Sequence, residues 1–61
     1  MYINIQRYRI NLDNVNNYSS FEDTITFFFT NKEWEQIKFK TKEECQYATK
    51  TLDKYLEVIE I

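Results

Sequence analysis

T-I-T-F-F-F-T-N-K-E-W-E-Q-I-K-F-K, from Thr24 to Lys40, is the stretch whose reading decides the fold. Ile25, Phe27 and Phe29 alternate with Thr24, Thr26 and Thr30, and Ile37 and Phe39 alternate with Gln36, Lys38 and Lys40. A period of two marks a half-buried strand, so the stretch predicts a β-hairpin whose pattern only Phe28 interrupts. Its register follows from which side chains would face each other. A two-residue loop at Asn31-Lys32 would set Ile25 opposite Lys38 and Phe27 opposite Gln36, leaving the apolar face unmatched. A three-residue loop, Asn31-Lys32-Glu33, sets Ile25 against Phe39 and Phe27 against Ile37. Because a slip of one residue turns every side chain over, the second register is expected. A loop of this kind needs a left-handed residue, and with no Gly in the chain Asn31 is expected to supply it. Phe28 and Trp34 are then left together on the opposite face.

Upstream, residues 13–23 (D-N-V-N-N-Y-S-S-F-E-D) form the one polar cluster and read as a loop, with Asn and Asp bonding their own backbone in place of Gly and Pro. Val15, Tyr18 and Phe21 are expected to fold back against the core edge; in a competing reading the loop, with Tyr18 and Phe21, folds over Phe28 and Trp34. Asp13 begins a faint calcium-loop pattern, but Val15 occupies a position that needs oxygen and no Gly follows. Residues 2–12 read as a first strand whose alternation changes phase: Ile3 and Ile5 share one face, Tyr8, Ile10 and Leu12 the other. A bulge near Gln6-Arg7 would reconcile the two sets. That arrangement points Arg7 and Arg9 outward beside Phe28 and Trp34.

Downstream, the period becomes helical. Thr41-Lys42-Glu43-Glu44 fits a capping box with Thr41 as N-cap. Cys45, Ala48, Leu52, Tyr55, Leu56 and Ile59 follow at three- and four-residue spacings, giving one apolar stripe. The helix is expected to end near Glu57 or Val58. Its stripe has one natural destination, the face built by Ile25, Phe27, Phe29, Ile37 and Phe39. The predicted fold is therefore α+β, β-β-β-α: a three-stranded antiparallel meander with a C-terminal helix packed on one face, in a single domain over 1–61.

The 61 residues bury only about 60% of the unfolded surface, so the core is thin. One Cys and no His argue against an internal disulfide and a structural zinc site, leaving self-association as the remaining means of stabilisation. Aromatic residues make up 18% of the chain, more than so small a core can bury. Met1 is followed by strand-like sequence without a basic-then-apolar leader, and there is no long apolar run. The expectation is a cytoplasmic protein with no membrane contact. Abundant Asn, Lys, Ile and Tyr, with no Gly or Pro, suggests AT-rich coding sequence such as that of a low-GC bacterium or its phages.

Chemistry has few carriers. With no His there is no default general base and no Ser-His or Cys-His pair. Cys45 lies on the apolar stripe and reads as a small buried hydrophobe. Glu33, Glu35, Asp53, Glu57 and Glu60 read as a solvated surface, and without Gly there is no phosphate-cradling loop. No enzyme activity, cofactor or metal is expected. What remains is the sheet face that the helix leaves open, which collects Phe28, Trp34, Gln36 and Lys38, with Arg7 and Arg9 from the first strand. Exposed aromatic patches mark interfaces, and Trp and Arg dominate their energetics. The favoured reading is a protein-interaction module, binding a larger protein or itself as a homodimer. Small inhibitors encoded by phages and mobile elements, anti-CRISPR proteins among them, are of this type, although no motif carries that comparison. The alternative is single-stranded nucleic acid stacked on Phe28 and Trp34 with the cations along its phosphates.

Overall fold

The computed structural model describes residues 1–61. In chain order the elements are β1 (Tyr2–Ile5), β2 (Tyr8–Asn11), a 3₁₀ turn (Leu12–Asn14), β3 (Val15–Phe21), β4 (Thr24–Phe29), β5 (Trp34–Lys38) and one helix, α1 (Lys42–Tyr55). The expected three-stranded antiparallel meander with a C-terminal helix is present, but its strands are β3-β4-β5. Residues 2–12 form a separate two-stranded hairpin, β1-β2.

The phase change at Gln6-Arg7 is a turn and not a bulge. Ile5 pairs with Tyr8 and Ile3 with Ile10, leaving Gln6 and Arg7 as a two-residue loop. Reversing the chain there brings both apolar sets to one face. Ile5, Ile10 and Leu12 are buried in the core, and Ile3 packs against it. Gln6 alone of the pair has positive φ, 60°.

Residues 15–21, expected as loop, form β3. The strand pairs with β4 from Val15↔Phe29 to Phe21↔Thr24, with a bulge between Val15 and Asn17. Its Asn and Ser residues have poor strand propensity, yet the pairing holds, because an edge strand meets water on its outer face and outer side. Val15 and Tyr18 pack on the core, whereas Phe21 is exposed.

The β4-β5 hairpin has a three-residue loop, but at Thr30-Asn31-Lys32. Ile25 faces Ile37, Phe27 faces Glu35 and Phe28 faces Trp34. This is the expected register displaced by two residues, which preserves the faces because the side-chain period is two. The left-handed residue is Lys32, φ 72°. Lys32 N–H donates to Phe29 O (3.0 Å) and Phe29 N–H to Glu33 O (2.8 Å), a type I turn closed by a bulge. Asn31 serves differently: its side-chain oxygen accepts from Glu33 N–H at 3.1 Å. Phe39, released from pairing with Ile25, donates its N–H to Asp23 O at 2.8 Å and stays buried.

Thr41 caps α1, its hydroxyl accepting from Glu44 N–H at 3.1 Å. The helix stops at Tyr55, earlier than the stripe suggests. Val58 N–H donates to Asp53 O (2.9 Å), Glu57 N–H to Lys54 O (3.4 Å), and Glu57 takes φ 54°. This is a Schellman ending without glycine. Tyr55 and Ile59 consequently lie exposed, while Cys45 and Leu52 are buried and Ala48 and Leu56 half-buried. The helix packs on β3 and β4, and Tyr18 on β3 donates its hydroxyl to Asp53 of α1 at 2.6 Å. One cluster of nine buried residues, centred on Phe27, Ile25 and Ile37, joins the sheet, the helix and the β1-β2 hairpin.

Candidate protein-interaction face

Alternation along β3, β4 and β5 sorts the sheet's side chains into two sets. Ile25, Phe27 and Ile37 go to the core. On the other side the registers lay out three rows: Asn17, Phe28 and Trp34; Ser19, Thr26 and Gln36; Phe21, Thr24 and Lys38. Phe28 and Trp34 stand directly opposite each other and are 41% and 61% exposed. Cross-strand neighbours at such a position lie about 5 Å apart at Cβ, so the two rings form one apolar end of the face. Gln36 donates its side-chain N–H to Thr26 Oγ1 at 3.3 Å, making the middle row a hydrogen-bonded polar strip. Phe21, 76% exposed, occupies the far corner beside Lys38.

The structure therefore brings together Phe28, Trp34, Gln36 and Lys38. It does not bring Arg7 and Arg9 to them: Arg7 lies in the β1-β2 turn and Arg9 faces Asn4 in the separate two-stranded sheet. Their displacement follows from the turn that replaces the expected bulge. Residues 13–23 do not roof the rings either, since β3 lies in the plane of the sheet. Phe21 is the residue of this face that sequence reasoning placed wrongly. Its signal was the alternation of Asn17, Ser19 and Phe21 against Tyr18 and Ser20, hidden by the polarity of the segment.

Other chemistry is sparse. Cys45 is fully buried, its Sγ 3.5 Å from Ser20 Oγ. Asp13 Oδ2 accepts from the N-terminal ammonium at 2.9 Å, an exposed pair. No three His, Cys, Asp or Glu side chains are grouped to hold a metal ion. No helix is long and apolar enough to cross a membrane. The one strongly perturbed ionisable group is Tyr18, whose phenol is held far above the ordinary range by burial, by its bond to Asp53 and by that carboxylate's charge. It fastens β3 to α1, on the side of the sheet away from Trp34. Comparison with protein-family models, curated proteins and solved structures finds no match.

Proposed function

We propose that the chain is a small protein-interaction module that acts by occupying a partner's surface through the uncovered face of its three-stranded sheet. One observation carries this reading. Phe28 and Trp34 are paired in register and exposed, on a side of the sheet that neither the helix nor the hairpin covers. Paired rings on a rigid strand scaffold give a large contact area at little entropic cost. The hydrogen-bonded Thr26–Gln36 strip and Lys38 supply polar contacts beside the rings. A module acting by occupation alone would serve as an inhibitor, the role expected of anti-CRISPR-like proteins from phages and mobile elements.

Single-stranded nucleic acid has less support. Of the strand residues on this face only Lys38 is cationic, and Arg7 and Arg9 belong to another sheet. Stacking without a track of cations leaves the phosphates unpaired.

The test is capture of a partner from host lysate by the immobilised chain, with mass measured in parallel by light scattering. Trp34→Ala and Phe28→Asp should abolish capture, or convert a dimer to monomer, while leaving circular dichroism unchanged. An exposed Trp that anchors an interface is worth at least about 2 kcal/mol, some thirtyfold in affinity. Undiminished binding by both variants would remove this face from consideration. Quenching of Trp34 by an oligonucleotide, weakening steeply as salt rises, would instead favour nucleic acid.

A further inference from the structure

We propose that the groove between β1 and α1 is a second interaction site, separate from the sheet face, which takes an extended segment of a partner protein as an added strand on β1. The segment carries apolar side chains at alternate positions and Lys or Arg at one end.

The open edge comes first. β1 pairs with β2 and nothing else. Leu12 N–H donates to Met1 O at 2.8 Å, and bonded pairs alternate along an antiparallel ladder. Met1, Ile3 and Ile5 therefore bond towards β2, and Tyr2 and Asn4 turn their N–H and C=O groups outward. Neither residue has a backbone partner elsewhere in the molecule. Exposed edges are usually protected by Lys, Pro, a bulge or a cover. The β3 edge has a bulge, and β5 carries Glu35 and Lys38. Tyr2-Ile3-Asn4-Ile5 has none of these.

This edge lines a cavity. A groove of about 760 Å³ runs along it, bordered by all of Met1–Gln6 and by no residue of β2. Consecutive residues, whose side chains point alternately to the two faces, can all border one groove only if it follows the strand's edge. The opposite wall is one face of α1 from Glu43 to Tyr55, with Tyr47 and Ala48 between, and Phe39 and Leu52 also line the groove. Twelve helical steps span about 18 Å, the length of about five residues of extended strand. The groove therefore matches a single strand in length, and offers main-chain partners on one wall and apolar contact on the other, the two requirements of strand addition.

Charge selects the occupant. The ionisable side chains of the lining that carry charge at neutral pH are Glu43 and Glu44, and the N-terminal ammonium is already bonded to Asp13. One end of the groove is thus acidic and calls for a basic residue. The chain's own exposed tail, Val58–Ile61, is apolar enough to add as a strand from a second copy, but Glu57 and Glu60 give it the wrong sign.

The experiment uses the ¹⁵N-labelled full chain and a fluorescent peptide of alternating Val and Thr ending in two Lys. Two control peptides carry Glu for Lys, or N-methyl groups at alternate residues. The Lys peptide should slow hydrogen exchange at the Tyr2 and Asn4 amides and leave Trp34 fluorescence unchanged. Each control peptide should bind about tenfold more weakly. Asn4→Pro removes an outward N–H at an edge, where Pro is tolerated, and should lower affinity by about the same factor. The double variant E43K/E44K should prefer the Glu peptide, and keeps the test decisive if Asn4→Pro does not fold. Trp34→Ala should bind the Lys peptide normally, so failure here is distinguishable from failure of the sheet-face reading. No binding near about 1 mM, equal binding of the N-methylated peptide, or a dimer of the chain that Asn4→Pro dissociates would each overturn the proposal.

Discussion

Four residues with Cβ atoms hold left-handed backbone: Gln6, Glu22, Lys32 and Glu57, at φ 60, 56, 72 and 54°. Each sits where a chain reversal or helix ending demands it, and the chain contains no Gly to relieve it. Replacing all four with Gly should stabilise the fold. The left-handed conformation costs a residue with Cβ about 1–2 kcal/mol, and the extra freedom Gly gives the unfolded chain takes back about 0.4–1 kcal/mol. The net gain is about 0.5–1 kcal/mol per site. All four side chains are exposed and make no hydrogen bond, so no packing is lost. Sites this far apart should add, to about 2–4 kcal/mol, against a total stability of about 3–9 kcal/mol for a chain this size. In urea, at an unchanged slope of about 1 kcal/mol/M, the midpoint should rise by about 2–4 M. Asn31→Gly is the sharp control. It should lose stability, because Asn31 contributes its side-chain bond to Glu33 and not its φ. Stabilisation by Glu33→Gly together with destabilisation by Lys32→Gly would place the loop at 31–33 and refute the two-residue displacement of the hairpin register.

Phe27→Ala should cost about 3–5 kcal/mol and unfold much of the population at room temperature, because Phe27 is completely buried between Tyr18 and Phe29; far-ultraviolet circular dichroism reads this directly. Tyr18→Phe should cost about 1–2 kcal/mol by losing the bond to Asp53. Burial first, then the Asp53 bond and charge, raises the folded-state pKa of Tyr18 above its ordinary 10.0. Its contribution is therefore complete below about pH 10 and lost as the pH climbs towards the folded value. Tyr18→Phe should flatten the alkaline part of the stability profile, and in an absorbance titration one of the five tyrosines should ionise only with unfolding. Cys45 should react with a thiol reagent at the rate of global opening, slowing in parallel with the Gly-stabilised variant, since its sulfur is wholly buried.

The hairpin at 24–38 and the helix from Lys42 were legible because large apolar residues repeat there at periods that no other structure satisfies. Hairpin register was legible only to within two residues. Faces repeat every second residue, so patterning cannot separate a loop at 31–33 from one at 30–32, and Lys32 gives no warning that it will turn left-handed. Residues 15–21 were not legible as a strand. Asn and Ser are typical of turns, and only pairing with β4 overrides that preference. The β1-β2 hairpin was half legible. A change of phase in an alternating run admits either a bulge or a reversal, and Gln6-Arg7 lacks the Gly or Asn that announces a tight turn. Of the candidate site, Phe28, Trp34, Gln36 and Lys38 follow from alternation alone. Arg7 and Arg9 were misplaced because their position depends on the one choice that patterning left open.

That choice at Gln6-Arg7 determines both proposed surfaces. A continuous strand over 2–12 could have joined the sheet and set Arg7 and Arg9 beside the rings, creating a cationic aromatic face suited to phosphates. The reversal removes both arginines to another sheet and collects Ile3, Ile5, Ile10 and Leu12 on one side, where they join a core that the meander and helix alone would leave short of apolar contacts. It also gives the vacant position beside β4 to the polar β3, which contributes Val15 and Tyr18 inward and Phe21 outward. A two-stranded ribbon is marginal by itself, so the hairpin depends on that core for its stability. Both of its outer edges are unpaired, and the β1 edge borders the groove along α1. One tight turn therefore accounts for the low charge of the aromatic face and for the open strand beside the helix. Lengthening the Gln6-Arg7 loop should loosen the β1-β2 hairpin and weaken strand addition at β1 while sparing binding through Trp34.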